Sequence, residues 1–159
     1  MSELPNLEKL VQDNLDADKT LNLETRNLGD EGARRLAAME ALSQVQRLEL
    51  GENDLSDEGV AALIGSPHLT GLKVLNLKSN RITEEGARAL AECTTLPALE
   101  QLVLKFNRIG EAGAKHLAAS ENLGGLTTLD LFRNHIGVEG ARAIKTSKNF
   151  SRLSRVRLD

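Results

Sequence analysis

The amino-acid sequence repeats itself at a fixed interval of 27 residues. One apolar column keeps this interval along the whole chain: Leu21, Leu48, Leu75, Leu102, Leu129 and Val156. A second column follows two residues later: Leu23, Leu50, Leu77, Leu104, Leu131 and Leu158. A glycine column shares the spacing: Gly32, Gly59, Gly86, Gly113 and Gly140. Because no insertion disturbs the register, we expect a stack of equal structural units.

Each repeat contains two different apolar spacings. The two leucines alternate with other residues, which is typical of a β-strand. After the glycine, apolar residues recur at helical spacing, as Val60, Leu63 and Ile64 do. Neighbouring strands joined by a helix run parallel. Since one such unit cannot bury its apolar side alone, the pattern predicts a continuous core made by stacking.

The start of each predicted helix carries residues suited to its positive end. Acidic residues lie beside the glycine column, where they favour the helix dipole. Ser56 and Thr83 stand where a hydroxyl can cap a helix. Glycine is unfavourable inside a helix, so we expect the glycine column to allow a close approach of each helix to the sheet.

An asparagine follows the second leucine by three residues in four repeats. These residues are Asn53, Asn80, Asn107 and Asn134. An amide side chain in a buried turn can satisfy backbone groups that neither strand nor helix reaches. We therefore predict a structural asparagine ladder rather than a catalytic site. In the first repeat Arg26 holds this position and Asn27 comes one place late, so a different turn is expected there.

Two segments, LNLKSNRITEEGARALAE (75–92) and LDLFRNHIGVEGARAIK (129–145), resemble the ribonuclease-inhibitor-like class of leucine-rich repeats. NOD-like receptors and Ran GTPase-activating proteins carry repeats of the same class. The resemblance covers about residues 18–159 and is more specific for fold than for function. It implies an α/β fold, a right-handed leucine-rich-repeat solenoid (horseshoe) with parallel strands on the concave side and helices on the convex side.

The expected domain organisation is a cap followed by one continuous array. Residues 1–17 are predicted to form an N-terminal capping helix, with Pro5 near its first position. Residues 18–159 are predicted to hold five full repeats and a sixth strand. The repeats are numbered from the N-terminus, and the sixth strand counts as repeat 6. No cover follows the last strand motif, so its edge is open to pairing with another chain.

Composition narrows the classes of function. Aromatic residues make up only 2% of the chain, so aliphatic side chains must fill the core. The net charge of −3 is too small to favour nucleic acid or an anionic membrane as a partner. Residues 1–60 hold 14 acidic and 6 basic side chains, whereas residues 61–159 hold 9 and 14. This asymmetry of charge has two interpretations. It is either random variation among solvent-exposed residues or a means of orienting a partner or a second copy of the chain.

Cysteine content and hydropathy predict a cytoplasmic protein. Cys93 is the only cysteine, so a reducing compartment is the simpler assumption. No apolar run has the length of a transmembrane helix, and the first residues are too polar for a signal peptide.

No residue pattern predicts catalysis, a cofactor or a metal. His68, His116 and His135 occupy different repeat positions, and no two of them share a helix face or a two-to-four-residue spacing with cysteine or acidic residues. Glycine-rich phosphate loops and nucleophile elbows are absent from the sequence. A basic column follows acidic residues by three or four positions, which favours helix-surface ion pairs over an anion-binding stripe. Its members are Arg34, Arg88, Lys115 and Arg142.

The residues that flank the two leucines are predicted to point out of the core. Phe106 and Phe132 fall on this face or its rim, near Val103. Exposed aromatic residues among charges are typical of an interaction hot spot, although the two rings could simply pack on each other. The predicted partner-binding residues belong to repeats 3–5: Val74, Asn76, Lys78, Val103, Lys105, Phe106, Asp130, Phe132 and Arg133.

The sequence therefore predicts a non-enzymatic scaffold that binds another protein with its concave face. The structural alternative is a module that assembles with itself through the open C-terminal strand edge. Regulation of a GTPase is a minor alternative that rests only on the resemblance to Ran GTPase-activating proteins. The array is short for that activity, and no arginine stands out as catalytic.

Overall fold

The computed structural model describes residues 6–159, so the predicted role of Pro5 lies outside the described residues. The α-helices are α1 (Leu7–Asn14), α2 (Gly29–Ala37), α3 (Asp57–Ile64), α4 (Glu84–Glu92), α5 (Gly110–Ala118) and α6 (Gly137–Thr146). The strands are β1 (Thr20–Asn22), β2 (Arg47–Glu49), β3 (Val74–Asn76), β4 (Gln101–Val103), β5 (Thr128–Asp130) and β6 (Arg155–Arg157). A short 3-10 helix spans Glu40–Gln44. Within residues 6–159, no helix is long and apolar enough to cross a membrane.

The strands form one parallel sheet whose order is the order of the chain, β1 to β6. Its register pairs the first leucine column with itself, from Leu21 beside Leu48 to Leu129 beside Val156. Each connection between neighbouring strands contains one α-helix, and consecutive α-helices from α2 to α6 pack on each other. The α/β solenoid predicted from the repeat is therefore confirmed.

The two layers of this stack have different natural spacings. Adjacent strands of a sheet lie about 4.8 Å apart, whereas packed helices lie about 8–10 Å apart. Because the strands of successive repeats lie closer together than their helices do, the stack of equal units curves. The strands lie on the inner side of the curve and the helices on the outer side.

Aliphatic side chains fill the space between the two layers. Both leucine columns are fully buried from β1 to β5, and so are Leu36, Leu63, Leu90 and Leu117 on the helices. Phe150 is an aromatic member of this core and is 9% exposed. Each buried leucine contributes roughly 1.5–3 kcal/mol relative to an exposed one. Since one core cluster runs through all the repeats, that contribution depends on the stack.

Helix α1 covers the open side of the first repeat. Leu7 and Val11 join the core, and Leu15 forms an antiparallel bridge with Leu21 in β1. The guanidinium of Arg26 donates to Asn14 Oδ1 at 3.2 Å, which ties the helix to the first turn. The division into a cap of residues 1–17 and an array of residues 18–159 stays a prediction.

The glycine column lies where each helix meets the preceding repeat. A Cβ at Gly113 would lie 2.5 Å from Ile109 Cγ2, 3.2 Å from Ala87 Cβ and 3.2 Å from Glu84 Cα. A Cβ at Gly86 would lie 2.5 Å from an oxygen of Asp57. The close approach is therefore mainly to the preceding repeat and not to the sheet, which corrects the expectation from sequence.

Two kinds of turn lead into the helices. Ser56 and Thr83 cap α3 and α4, as predicted, by accepting a hydrogen bond from the amide two residues later. Each hydroxyl also donates to an aspartate of the preceding repeat, Asp30 for Ser56 and Asp57 for Thr83. The other repeat helices begin at glycines with positive φ instead: Gly29, Gly110 and Gly137.

The asparagines that follow the strands are buried between the turns: Asn53, Asn80, Asn107 and Asn134. Asn80 Oδ1 accepts hydrogen bonds from the amides of Asn53 (3.1 Å) and Leu55 (3.0 Å). Its Nδ2 donates to the carbonyls of Leu50 (3.1 Å) and Leu77 (3.0 Å). One side chain thus binds backbone groups of two repeats. In the first repeat, Asn27 is instead exposed, with a φ of 55°.

Replacing Gly113 by alanine is expected to lower the free energy of unfolding by about 1–2 kcal/mol. Overpacking of about 1–3 kcal/mol exceeds the roughly 1 kcal/mol by which alanine favours a helix. Gly71→Ala is the control, because nothing lies within 4 Å of its added Cβ. Urea unfolding followed by circular dichroism measures both variants. Equal midpoints for the two would contradict the assigned close contact.

Replacing Asn80 by alanine is expected to cost about 3 kcal/mol or more. The amides of Asn53 and Leu55 and the carbonyl of Leu50 lose their side-chain partner, and each buried unsatisfied group costs about 1–3 kcal/mol. Asn27→Gly is the control, since glycine adopts the positive φ of that exposed position. The same urea titration applies. A loss below about 1 kcal/mol for Asn80→Ala would show that water replaces these bonds without penalty.

Candidate functional site

The candidate site is the face of the sheet that points away from the helices, called the strand face below. It consists of the outward residues on and directly after each strand. Its rim carries one residue per repeat with a left-handed backbone, at φ between 55° and 59°. These rim residues are Thr25, Glu52, Ser79, Phe106 and Arg133. Because the same bend recurs, the rim side chains form a row along the array.

In repeats 1–3 the charged groups of the strand face are largely paired with one another. Arg47 Nη1 lies 3.0 Å from Glu49 Oε1, and Asn76 Nδ2 donates to Glu49 Oε2 at 2.7 Å. Lys78 Nζ lies 3.0 Å from Glu24 Oε1, although these residues are two repeats apart. These pairs neutralise the carboxylates of Glu24 and Glu49 in this half of the face.

Gly51 makes the long ion pair between Lys78 and Glu24 possible. It occupies the same repeat position in the repeat between them. A Cβ at Gly51 would lie 2.8 Å from Lys78 Cε and 3.0 Å from Glu24 Oε1. The missing side chain therefore provides the path that the lysine follows across the second repeat.

Phe106 and Phe132 form an edge-to-face pair in repeats 4 and 5. Their ring centroids are 5.9 Å apart, and the ring planes meet at 78°. Such a pair contributes about 0.5–1.5 kcal/mol, yet Phe106 is still 47% exposed. Its φ of 59° is also disfavoured for a bulky side chain. The rings pack on each other and still offer an exposed aromatic surface.

Two guanidinium groups lie over the ring of Phe132. The Cζ atoms of Arg133 and Arg157 are 5.4 Å and 5.0 Å from the ring centroid. Arg157 Nη1 also lies 3.6 Å from Asp130 Oδ2. Cation–π contacts at exposed sites contribute about 0.5–1 kcal/mol each. They hold both arginines beside the aromatic pair.

Positive charge is not compensated around this aromatic pair. Among residues 6–159, Lys105, Arg133 and Arg155 form no ion pair within 4.0 Å. Asp130 is the nearby carboxylate on a strand, and Arg157 already neutralises it. The strand face of repeats 4–6 therefore combines an exposed aromatic ring with free cations.

The predicted partner-binding residues differ in how much surface they offer. Val74 and Asp130 are each only 8% exposed, and Lys78 is bound to Glu24. Four others are half-buried: Asn76, Val103, Lys105 and Phe132. Phe106 and Arg133 are exposed. The accessible part of the predicted set is thus centred on repeats 4 and 5.

Sequence reasoning missed two residues of this region, Arg157 and Asp159. The repeat register put Arg157 in the same outward column as Asp130, but no pattern predicted its contact with Phe132. The carboxylate of Asp159 accepts hydrogen bonds from the amides of Asn134 (3.0 Å) and Ile136 (2.9 Å). It serves this turn as the ladder asparagines serve the earlier ones. It stands two residues before the position that the 27-residue interval would give to the next asparagine.

The pKa of the Asp159 carboxyl lies below its ordinary value. Burial raises this pKa, and the hydrogen bonds from the amides of Asn134, Ile136 and Arg133 together lower it by more. Those amides belong to the turn that carries Arg133. The charged carboxylate therefore holds the rim of the site in place.

A cleft opens at the rim beside Phe132. Its volume is about 340 Å³, and Phe132, Arg133, His135 and Asp159 line it. Most of the lining surface is apolar. An apolar side chain of a partner fits such a cleft better than a charged one does.

The segments that match a known protein family coincide with repeats seen in the structure. A family model described as "Leucine Rich repeat" matches residues 43–63, 68–91 and 126–145. Each match contains one strand and ends within the next helix. The chain contains leucine-rich repeats. A comparison of this leucine-rich-repeat chain with curated proteins gave no match.

Two solved structures share the fold of this leucine-rich-repeat protein. The tropomodulin C-terminal domain of Caenorhabditis elegans has a TM-score of 0.62 and 20% identity, over 92% of this chain and 89% of that one. The structure of Leiomodin-1 Actin-Binding Site 2 has a TM-score of 0.61 and 24% identity, over 96% and 90%. At these identities the likeness shows the fold.

The stability of this leucine-rich-repeat protein is expected to depend on the charge of Asp159. Because its pKa is lowered by folding, the carboxylate stabilises the folded state above its unfolded pKa of about 3.8. That contribution is lost as the pH falls through the folded-state pKa. Thermal melts of the wild type and Asp159→Asn should therefore differ at neutral pH and converge at acidic pH. A constant difference at every pH would contradict this role.

Proposed function

We propose that this protein is a protein-binding module that holds its partner on the strand face of repeats 3–5. The observation that carries the proposal is Phe106, which is 47% exposed and has a φ of 59°. The strain of this backbone conformation offsets much of what the edge-to-face pair contributes to the stability of the isolated chain. A partner that covers the ring gains apolar burial at a single well-defined point.

The proposed interface has an aromatic centre and a charged rim. Burial of Phe106 and the exposed part of Phe132 supplies affinity, while Lys105 and Arg133 orient the partner and speed association. The nearly buried members of the predicted set act as supports. Asp130, for example, accepts a hydrogen bond from the amide of Phe132 at 3.1 Å and pairs with Arg157.

Assembly of the chain with itself through β6 is the second candidate. All three residues of β6 are exposed, and Val156 is 40% exposed. The strand offers backbone groups for pairing together with one apolar side chain. Light scattering separates the candidates, because self-assembly predicts a defined oligomer that Val156→Lys dissociates, whereas strand-face binding predicts no effect of that change.

The double variant Phe106→Ala/Phe132→Ala is expected to lose a partner that the wild type captures. Immobilised chains are incubated with native cell extract, and bound proteins are quantified by mass spectrometry. Loss of two central aromatic contacts should reduce capture about ten-fold or more. Purified actin forms a separate arm, because one structural neighbour is described as an actin-binding site.

Val138→Ala is the matched control for this capture. Val138 is 74% exposed on α6, so the change removes exposed apolar surface away from the strand face. Cooperative thermal melts verify that all three chains are folded. Equal capture by the wild type, the control and the double variant would contradict the proposal. Capture of the chain alone would favour self-assembly.

A further inference from the structure

We infer that the segment bound by the strand face is an acidic peptide that carries an apolar anchor residue. This inference rests on the proposed function and adds the chemistry of the partner. It follows from a difference in charge between the two halves of the strand face.

Two carboxylates of the first half, those of Glu24 and Glu49, are neutralised within the protein. Glu49 lies against Arg47, and Glu24 receives Lys78 from two repeats away. A partner gains little by bringing further charge to this half, since the existing pairs would have to be broken. The first half therefore contributes shape and hydrogen bonds rather than net charge.

The second half presents cations without matching carboxylates. Its basic residues are Lys105, Arg133, Arg155 and Arg157. The carboxylate of Asp130 is paired with Arg157, and that of Asp159 accepts two backbone amides. Four basic side chains thus face two carboxylates, and the excess positive charge is available to a group from outside the described chain. A partner with aspartate or glutamate residues supplies the missing charge.

The arginines are also held in place before binding. Cation–π contact keeps Arg133 and Arg157 within 5.4 Å of the Phe132 centroid. A guanidinium held over a ring loses less conformational entropy when it binds, and its N–H donors match a carboxylate in two-point geometry. These features favour carboxylates over a diffuse negative charge.

The apolar anchor follows from the surface next to these cations. Phe106 is 47% exposed, and the cleft of about 340 Å³ beside Phe132 has a mostly apolar lining. An aliphatic or aromatic side chain in this place covers both features. The partner segment thus needs an apolar residue with acidic residues near it in sequence.

A nucleic acid fits these observations less well. Its phosphates require a continuous row of cations along the binding face. Here the cations of the strand face that are not paired with carboxylates of the first half are confined to repeats 4–6, Glu52 lies on the same rim, and the whole chain has a net charge of −3. Binding of a short acidic peptide does not require a continuous row of cations, because a local cluster of positive charge is enough.

The test is selection of a random 12-residue peptide library, displayed on phage, against the immobilised chain. We expect the selected peptides to be enriched in aspartate and glutamate and to contain an apolar residue. Synthetic copies should bind Phe106→Ala/Phe132→Ala at least about ten-fold more weakly. They should also bind Lys105→Glu/Arg133→Glu about ten-fold or more weakly, because attraction becomes repulsion.

Lys145→Glu/Lys148→Glu is the matched control for charge reversal. Both lysines are exposed at or just after the end of α6, and neither forms an ion pair among residues 6–159. This control should change affinity by less than about two-fold at 0.15 M salt, because screening weakens distant charges. Thermal melts of all variants establish that each is folded.

The outcomes separate the inference from the proposed function. Peptides that need the two phenylalanines but show no acidic enrichment would overturn the inference and leave protein binding on this face intact. If no selected peptide depends on the phenylalanines, or no peptide is selected, both fail. Tighter binding of a fluorescent oligo-dT 12-mer than of the selected peptides would assign the face to nucleic acid and overturn the inference.

Discussion

A single asparagine side chain in each of four turns supplies hydrogen bonds that two neighbouring repeats would otherwise lack. Asn80 accepts from the amides of Asn53 and Leu55 and donates to the carbonyls of Leu50 and Leu77. Without these side chains, backbone amides and carbonyls of the turn between a three-residue strand and a helix would be buried without partners. The short strands, the tight turns and the close stacking of repeats all depend on these bonds.

Other stabilising contacts also join neighbouring repeats. Leucines of one repeat are covered by those of the next, the glycines let each helix approach the preceding one, and two aspartates bind the caps of following helices. At the two ends of the array other groups take over. Helix α1 covers the first repeat, and Asp159 receives the amides of Asn134 and Ile136. Stability is therefore a property of adjacent pairs of repeats.

Such a scaffold leaves the strand face free to vary, because its residues do not fill the core. Gly51 lets a lysine cross a whole repeat to reach Glu24, whereas Phe106 brings an aromatic ring to a rim position that imposes a positive φ. The first arrangement neutralises charge within the face. The second exposes apolar surface beside free cations, and this contrast is the basis for the proposed acidic partner.

The sequence by itself determined the repeat, the parallel order of strands and helices, and the residues of the core, because a spacing of 27 residues admits one register. It also identified Ser56 and Thr83 as caps and drew attention to Phe106 and Phe132. Tertiary structure alone decided which outward residues are accessible, since Val74 and Asp130 face outward and are nearly buried. It alone brought Arg157 over Phe132, joined Lys78 to Glu24, and directed the glycines against the preceding repeat. The physical reason is that register assigns a direction to each side chain, whereas its reach and its neighbours depend on packing across several repeats.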